Sequence, residues 1–362
     1  AGQPMSGDRV PPPTKLPSVI TTPMSWLYSI GINKKNRDYD AGKGVTKFDR
    51  PVISIGNLST GGTGKTPMVH LVVRALQRTG KKPVIAMRGY GAKPGEKGDE
   101  QIEHEFALPG VPVVAQPDRI GGLNHLFAQE AGRDIDCVVL DDGFQHRKIA
   151  RDLDIVLIDA SRPPDRDALL PEGHLRETIQ SLSRAGLVIL THCERVNNAE
   201  INRLRAIVSR FATDTPVIEA RHEWDSIISY THTGSGWQEQ VLSCNELAPE
   251  KVRVVAGIGN TDAFAKQAQT QGMEVSQLTE LRDHQALGDK MIERLFQPSN
   301  LRRSEPILMT QKDWVKAKNS VAWTKEARVL VPVLRMEIED RALFEDTLFS
   351  PVIWGKTSFP SK

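Results

Sequence analysis

The chain has 362 residues, 39% of them hydrophobic and 25% charged, with Lys+Arg 47 against Asp+Glu 45 and a net charge of +2. This is long enough for one large or two ordinary domains, and the near balance of charge argues against nucleic acid or another polyanion as partner. Cys137, Cys193 and Cys244 are too few and too far apart for a disulfide framework or a metal cluster, which points to a reducing compartment. No run of 18 apolar residues is present and the first residues lack the order of a signal peptide, so composition alone describes a soluble cytoplasmic protein.

Residues 1 to about 15, with Pro11-Pro12-Pro13, are too polar and proline-rich to offset their ordering entropy and are expected to be a tail. Residues 16–40 follow as a separate segment. Pro23 suits the first turn of a short helix capped by Thr22, carrying Met24, Trp26, Leu27, Tyr28 and Ile30, with Lys34, Lys35 and Arg37 just beyond. Two readings are open for this helix: packing on the body, or lying in a membrane interface with its rings at headgroup level.

From Val52 the chain alternates short apolar runs with helical spacing. Strands are expected at 52–55, 83–87, 111–115, 137–140, 155–158 and 187–190, and later at 217–218, 252–256, 306–309 and 329–333; helices are expected at 65–79, 197–210, 262–271 and 290–296. Strands separated by crossover lengths imply an α/β fold with a mostly parallel sheet. Two lobes are expected, 41–195 and a smaller α/β lobe over 196–362, with residues 229–240 forming a hairpin or loop excursion.

The strongest motif is Ser59-Thr60-Gly61-Gly62-Thr63-Gly64-Lys65-Thr66, between an expected strand and an expected helix. Such a loop turns successive backbone N–H groups toward phosphate oxygens, with Lys65 reaching the β- and γ-phosphates and the Thr66 hydroxyl on Mg²⁺. This is the P-loop NTPase arrangement. It also calls for an acidic residue at the end of a neighbouring strand, which Asp141 and Asp142 supply after the apolar run from Cys137 to Leu140.

Together with these, Arg88-Gly-Tyr90-Gly, Asp141-Asp-Gly-Phe-Gln145-His146-Arg147, Arg151-Asp-Leu-Asp, Leu169-Leu-Pro-Glu-Gly-His-Leu-Arg176-Glu177, Gly257-Ile-Gly-Asn260, Asp283-His284 and Thr310-Gln-Lys-Asp-Trp-Val-Lys316 make the chain similar to the tetraacyldisaccharide 4′-kinase, or lipid A 4′-kinase, family. The similarity runs in unbroken order over about residues 24 to 335. It implies ATP- and Mg²⁺-dependent phosphorylation of the 4′-hydroxyl of a lipid A disaccharide 1-phosphate at the cytoplasmic face of the bacterial inner membrane. It also favours the interfacial reading of the N-terminal helix and indicates no obligate protein partner. By the same resemblance, Asp99 of Gly98-Asp99-Glu100 is the base, in company with His284. Arg119 and Arg176 lie near the reacting phosphoryl group, and Glu177 joins Thr66, Asp141 and Asp142 as a metal ligand. Arg88, Tyr90, Gln145 and His146 face the substrate. Two alternatives are a different P-loop small-molecule kinase, within enzymes, and, of another class, a membrane-associated ATPase switch; the guanine-specificity spacing is absent from Thr310-Gln-Lys-Asp313.

Overall fold

Helix α1 (Ser18–Asp40) opens the computed structural model, which describes residues 17–89, 97–257, 261–281, 288–297, 302 and 304–355. It starts at Ser18 rather than after Thr22, and Pro23 falls inside it. At 1.5 Å per residue it is about 35 Å long, yet no helix among the described residues is long and apolar enough to cross a membrane. Its polar side faces the body. Thr21 and Ser25 are buried; Ser25 Oγ donates to Leu169 O at 3.0 Å, Tyr28 Oη to Arg176 O at 3.3 Å and Asn36 Nδ2 to Glu177 Oε2 at 3.0 Å. Arg147 donates to Asn36 O at 3.1 Å and pairs with Asp40. The apolar residues Ile20, Met24, Trp26, Leu27 and Ile30 are exposed instead, Trp26 at 64% and Leu27 at 63%.

The chain then winds strands and helices in turn: β1 (Val52–Asn57), α2 (Lys65–Arg78), β2 (Pro83–Met87), α3 (Asp99–Ala107), β3 (Val113–Ala115), α4 (Arg119–Ala128), β4 (Cys137–Asp141), β5 (Leu153–Asp159), β6 (Leu187–Thr191), α5 (Asn198–Phe211) and the long β7 (Val217–His232). β8 (Trp237–Leu242), β9 (Lys251–Ala256), α6 (Thr261–Thr270), β10 (Glu274–Glu280), α7 (Asp289–Leu295), β11 (Ile307–Leu308), α8 (Gln311–Ala317) and β12 (Arg328–Ile338) follow, and α9 (Arg341–Leu348) and α10 (Pro351–Trp354) end the described chain.

Two compact units divide this chain: residues 1–222 with 336–362, and residues 223–335. The boundaries fall inside β7 and β12, not near residue 195 as the alternation of strands and helices suggested. The physical reason is α5. Its Ile201, Leu204 and Val208 are buried with Val156, Val188 and Leu190 of β5 and β6, so the helix after β6 completes the first unit.

In the first unit the strands run in the order β7-β6-β5-β1-β4-β2-β3, each pair parallel. β1, β4 and β5 are buried at every position, as expected of strands covered on both faces, and this is why they read as continuous apolar runs. One face carries α2, whose Met68, Val69, Val72, Val73 and Leu76 pack with Ile53, Ile55, Val139 and Ile155. In the second unit β10, β9, β11 and β12 are parallel neighbours, and β7 and β8 form the expected hairpin, with Ile227 opposite Leu242 and His232 opposite Trp237. β10 was not anticipated, because Glu274–Glu280 is largely polar and has no fully buried residue, as an edge strand can be.

Ile53, fully buried in the central strand, is the sharpest probe of this core. Ile53→Ala should lower unfolding stability by about 2–5 kcal/mol in equilibrium urea denaturation; a loss under about 0.5 kcal/mol would mean that β1 is not packed as described.

Candidate active site

The register of β1 sets the site. Ile55 lies opposite Asp141 of β4 and Asn57 opposite Leu157 of β5, so the loop after β1 and the acidic pair after β4 emerge at the same edge, the carboxyl ends of the strands. The loop turns at Gly61 (φ 111) and Gly64 (φ 83), the latter being the N-cap of α2. Gly64 has no room for a side chain, since a Cβ there would lie 2.7 Å from His222 Nε2. The first N–H groups of α2 thus open toward the loop, which together with the helix dipole makes an anion site.

Asn57, which the motif reading passed over, holds the parts together. Its Nδ2 donates to Ser59 O at 2.7 Å, its Oδ1 accepts from Lys65 Nζ at 3.3 Å, and its backbone oxygen accepts from Gln145 Nε2 at 2.9 Å. Lys65 also lies 3.6 Å from Asp142 Oδ1. Arg176 Nη1 donates to Asp142 Oδ2 at 2.6 Å and to Gln145 Oε1 at 3.4 Å, and Arg119 Nη1 donates to the Asp142 carbonyl at 3.3 Å. Arg176 is placed by its own backbone, whose N–H donates to Leu58 O at 2.7 Å, while Thr60 N–H donates to His174 O at 2.8 Å. The segment around Leu175 therefore runs beside the phosphate loop.

Asp142 has a left-handed backbone (φ 51). Burial opposes its ionisation, but Lys65, Arg176 and Arg119 outweigh this and hold its carboxyl below the usual range. Asp141 is buried and accepts from His104 Nε2 at 3.0 Å, and the other ring nitrogen of His104 meets His70 Nε2 at 3.1 Å. Burial, then the neighbouring His104, pushes His70 down to about 3, so it is neutral. Neither histidine could be linked to Asp141 by spacing, since they come from α2 and α3. Glu100 keeps solvent contact, yet desolvation and then the charge of Asp141 raise its carboxyl above the usual range.

The residues present fit a hard divalent cation. Asp141 Oδ1 and Asp142 Oδ1 are buried with no hydrogen-bond partner among the described residues, and carboxylate and hydroxyl oxygens are what Mg²⁺ takes. Asp141, Asp142 and Thr66, in the first turn of α2, are its candidate ligands. Glu177 Oε2 accepts from Asn36, Ser181 and Arg184, while its Oε1, like the two aspartate oxygens, is buried with no hydrogen-bond partner among the described residues. Asp99 is exposed in the first turn of α3, and Arg88 is exposed at the end of β2. Burial, then Arg119, lowers the His146 ring to about 4. Tyr90 and His284 lie outside the described residues.

A raised carboxyl binds a proton in the folded chain that the unfolded chain has already released. Glu100 therefore lowers stability as pH rises from the ordinary carboxylate value through its folded value. Without nucleotide or Mg²⁺, Glu100→Gln should raise the thermal midpoint at about pH 7 and leave it unchanged at about pH 3.5. An equal shift at both would refute this placement of Glu100.

Comparison with known proteins agrees with this geometry. The sequence pattern of the family described as tetraacyldisaccharide-1-P 4′-kinase, LpxK, matches residues 17–352. The tetraacyldisaccharide 4′-kinase of Chlorobaculum parvum is 32% identical over 329 residues, 85% of this chain and 86% of that protein. That of Geobacter metallireducens is 32% identical over 347 residues, 91% and 93% of the two chains. A crystal structure of LpxK from Aquifex aeolicus in complex with ATP superimposes with a TM-score of 0.69 at 28% identity, covering 92% of this chain and 98% of that one. A match over nearly the whole length, with the phosphate loop, the acidic pair and Arg176 gathered at one sheet edge, shows that the chain belongs to the tetraacyldisaccharide 4′-kinase family.

Proposed function

We propose that this protein transfers the γ-phosphoryl group of ATP to the 4′-hydroxyl of tetraacyldisaccharide 1-phosphate, giving lipid IVA, at the cytoplasmic face of the inner membrane. The observation that carries the reading is the chain of contacts Lys65–Asp142–Arg176 beside the phosphate loop. Phosphoryl transfer needs mainly positioning and charge stabilisation. The N–H groups at the start of α2 and the Lys65 ammonium hold the β- and γ-phosphates, and the Arg176 and Arg119 guanidiniums, both now on Asp142, stand ready for equatorial oxygens. Thr66, Asp141 and Asp142, with Glu177 as a further candidate, would hold Mg²⁺, which would supply positive charge against the phosphate oxygens. Gln145, kept on Asn57 and Arg176, orients this array, with His146, Arg88 and Tyr90 toward the substrate.

Asp99 accepts the proton of the attacking hydroxyl, with His284 as the partner that the family resemblance implies. The solvent-facing carboxylate in the first turn of α3 is consistent with that role. A loose transition state asks little of a base, so this residue contributes less than the phosphate-binding groups.

The inverted polarity of α1 supports the membrane part. A helix that packs through Ser25, Tyr28 and Asn36 while exposing Ile20, Met24, Trp26, Leu27 and Ile30 has its apolar stripe turned outward. With exposed Lys34, Lys35 and Arg37 at its C-terminal end, it suits the boundary between acyl chains and anionic headgroups.

Lys65→Ala should reduce transfer to the disaccharide about 100-fold or more, whereas Asp99→Ala should leave a measurable rate. Undiminished ATP hydrolysis without lipid acceptor would instead favour an ATPase switch. Replacing Trp26 and Leu27 together by Ser should lower co-sedimentation with anionic vesicles while leaving ATP affinity unchanged; unaltered vesicle binding would remove α1 as the anchor.

A further inference from the structure

A second cluster of ligating side chains lies beyond the acidic pair, where β6 ends. After Thr191 the chain turns through His192, whose backbone is left-handed (φ 57), into the short turn Cys193–Arg195. Left-handed backbone is uncommon for a residue other than glycine. Here it brings His192 and Glu194 together against His222 of β7. The two imidazoles stack with centroids 4.3 Å apart and planes 25° from parallel. Glu194 Oε1 lies 3.4 Å from His192 Nδ1, and Glu194 Oε2 accepts from the His222 backbone N–H at 3.4 Å. One ligand atom from each side chain falls within 4.8 Å of the other two. Both histidines are buried, while Glu194 is exposed and gives a path from solvent.

The hydrogen bonds of His192 indicate what belongs there. Its Nε2 lies 3.2 Å from Gly62 O. A carbonyl oxygen only accepts, so that nitrogen carries the proton, and in a neutral ring the Nδ1 lone pair then points at the Glu194 carboxylate, which also only accepts. Two facing acceptors require a proton or a cation between them. An imidazole fixed by a backbone carbonyl on one nitrogen, with the lone pair of the other turned toward a carboxylate, is the arrangement of a metal-bound histidine with its outer hydrogen bond in place. His222, buried and stacked on His192, supplies the second imidazole. Arg195 Nε, 3.5 Å from Glu194 Oε1, is the competing cation.

We propose that His192, Glu194 and His222 form a site for a divalent transition metal ion of the zinc class, separate from the Mg²⁺ ligands Asp141 and Asp142. Two imidazoles and one carboxylate select such an ion over Mg²⁺, which favours oxygen alone. Three protein ligands leave a fourth position for water. Metal–nitrogen bonds of about 2.1 Å in a tetrahedron would draw the ligand atoms to roughly 3.4 Å apart, which requires the two stacked rings to turn out of parallel so that their lone pairs converge. The site also touches the phosphate loop, since His192 holds Gly62 O and Thr191 Oγ1 donates to Thr63 O at 2.9 Å. The proposed ion site and the phosphate loop therefore share a structural element.

Titration of the metal-stripped, untagged full chain with Co²⁺ in excess Mg²⁺ tests this directly. One equivalent should bind with the intense visible absorption of four- or five-coordinate Co²⁺ and be displaced by Zn²⁺. His222→Gln and Glu194→Gln should each weaken binding at least tenfold, whereas His125→Gln, at an exposed position on α4, should not. Saturating Zn²⁺ should raise the thermal midpoint of the wild type and not that of Glu194→Gln, a substitution that keeps the size and shape of the side chain. A weak, octahedral-type spectrum in the wild type, or stoichiometric binding that survives both substitutions, would overturn the proposal.

Discussion

The position of β1 between β4 and β5 is the constraint on which the catalytic edge depends. A strand buried at every position cannot slip without exposing apolar surface, so its register is held by burial. That register sets Ile55 beside Asp141 and carries Asn57 to the rim, where its side chain and carbonyl meet the phosphate loop, Lys65 and Gln145. The apolar core thus fixes polar geometry that the polar groups could not fix alone, because each contact between exposed charges is individually weak.

Charge at this edge is arranged for a ligand that the protein itself lacks. Lys65, Arg176 and Arg119 converge on Asp142, by side chain or carbonyl, while an oxygen of Asp141 and one of Asp142 have no hydrogen-bond partner among the described residues. Buried polar atoms are normally satisfied, and a cation with phosphate oxygens supplies what is missing on both sides. His104 holds Asp141 from the rear and is itself held edge-on by His70. The opposite economy governs α1, which spends its polar groups on the body and leaves its apolar ones outside.

Much of this was legible in the chain itself. The P-loop NTPase type of the first unit followed from apolar runs of strand length alternating with helical spacing, and the phosphate loop from its glycines, Lys65 and Thr66. Other features were not legible, for reasons that can be named. β10 is polar enough to resemble a loop, β7 continues far beyond its apolar start at Val217–Ile218 into alternating residues, and α5 belongs with the strands before it although a boundary seemed due at its start. Glu177 matches a family position, but its contact with Asn36 of α1 joins residues 141 apart in the chain.

The sequence by itself determined the elements, the loop that binds phosphate and the presence of an acidic pair after β4, because these rest on local periodicity and on motifs a few residues long. Only the tertiary structure decided which groups meet. Asn57 with Gln145, Arg176 with Asp142, His104 with Asp141 and His192 with His222 are 88, 34, 37 and 30 residues apart in the chain. The side of α1 that faces out was likewise decided by its partners on the body, Leu169, Arg176 and Glu177. Such pairings depend on strand order and register, which long-range packing sets and no local pattern encodes.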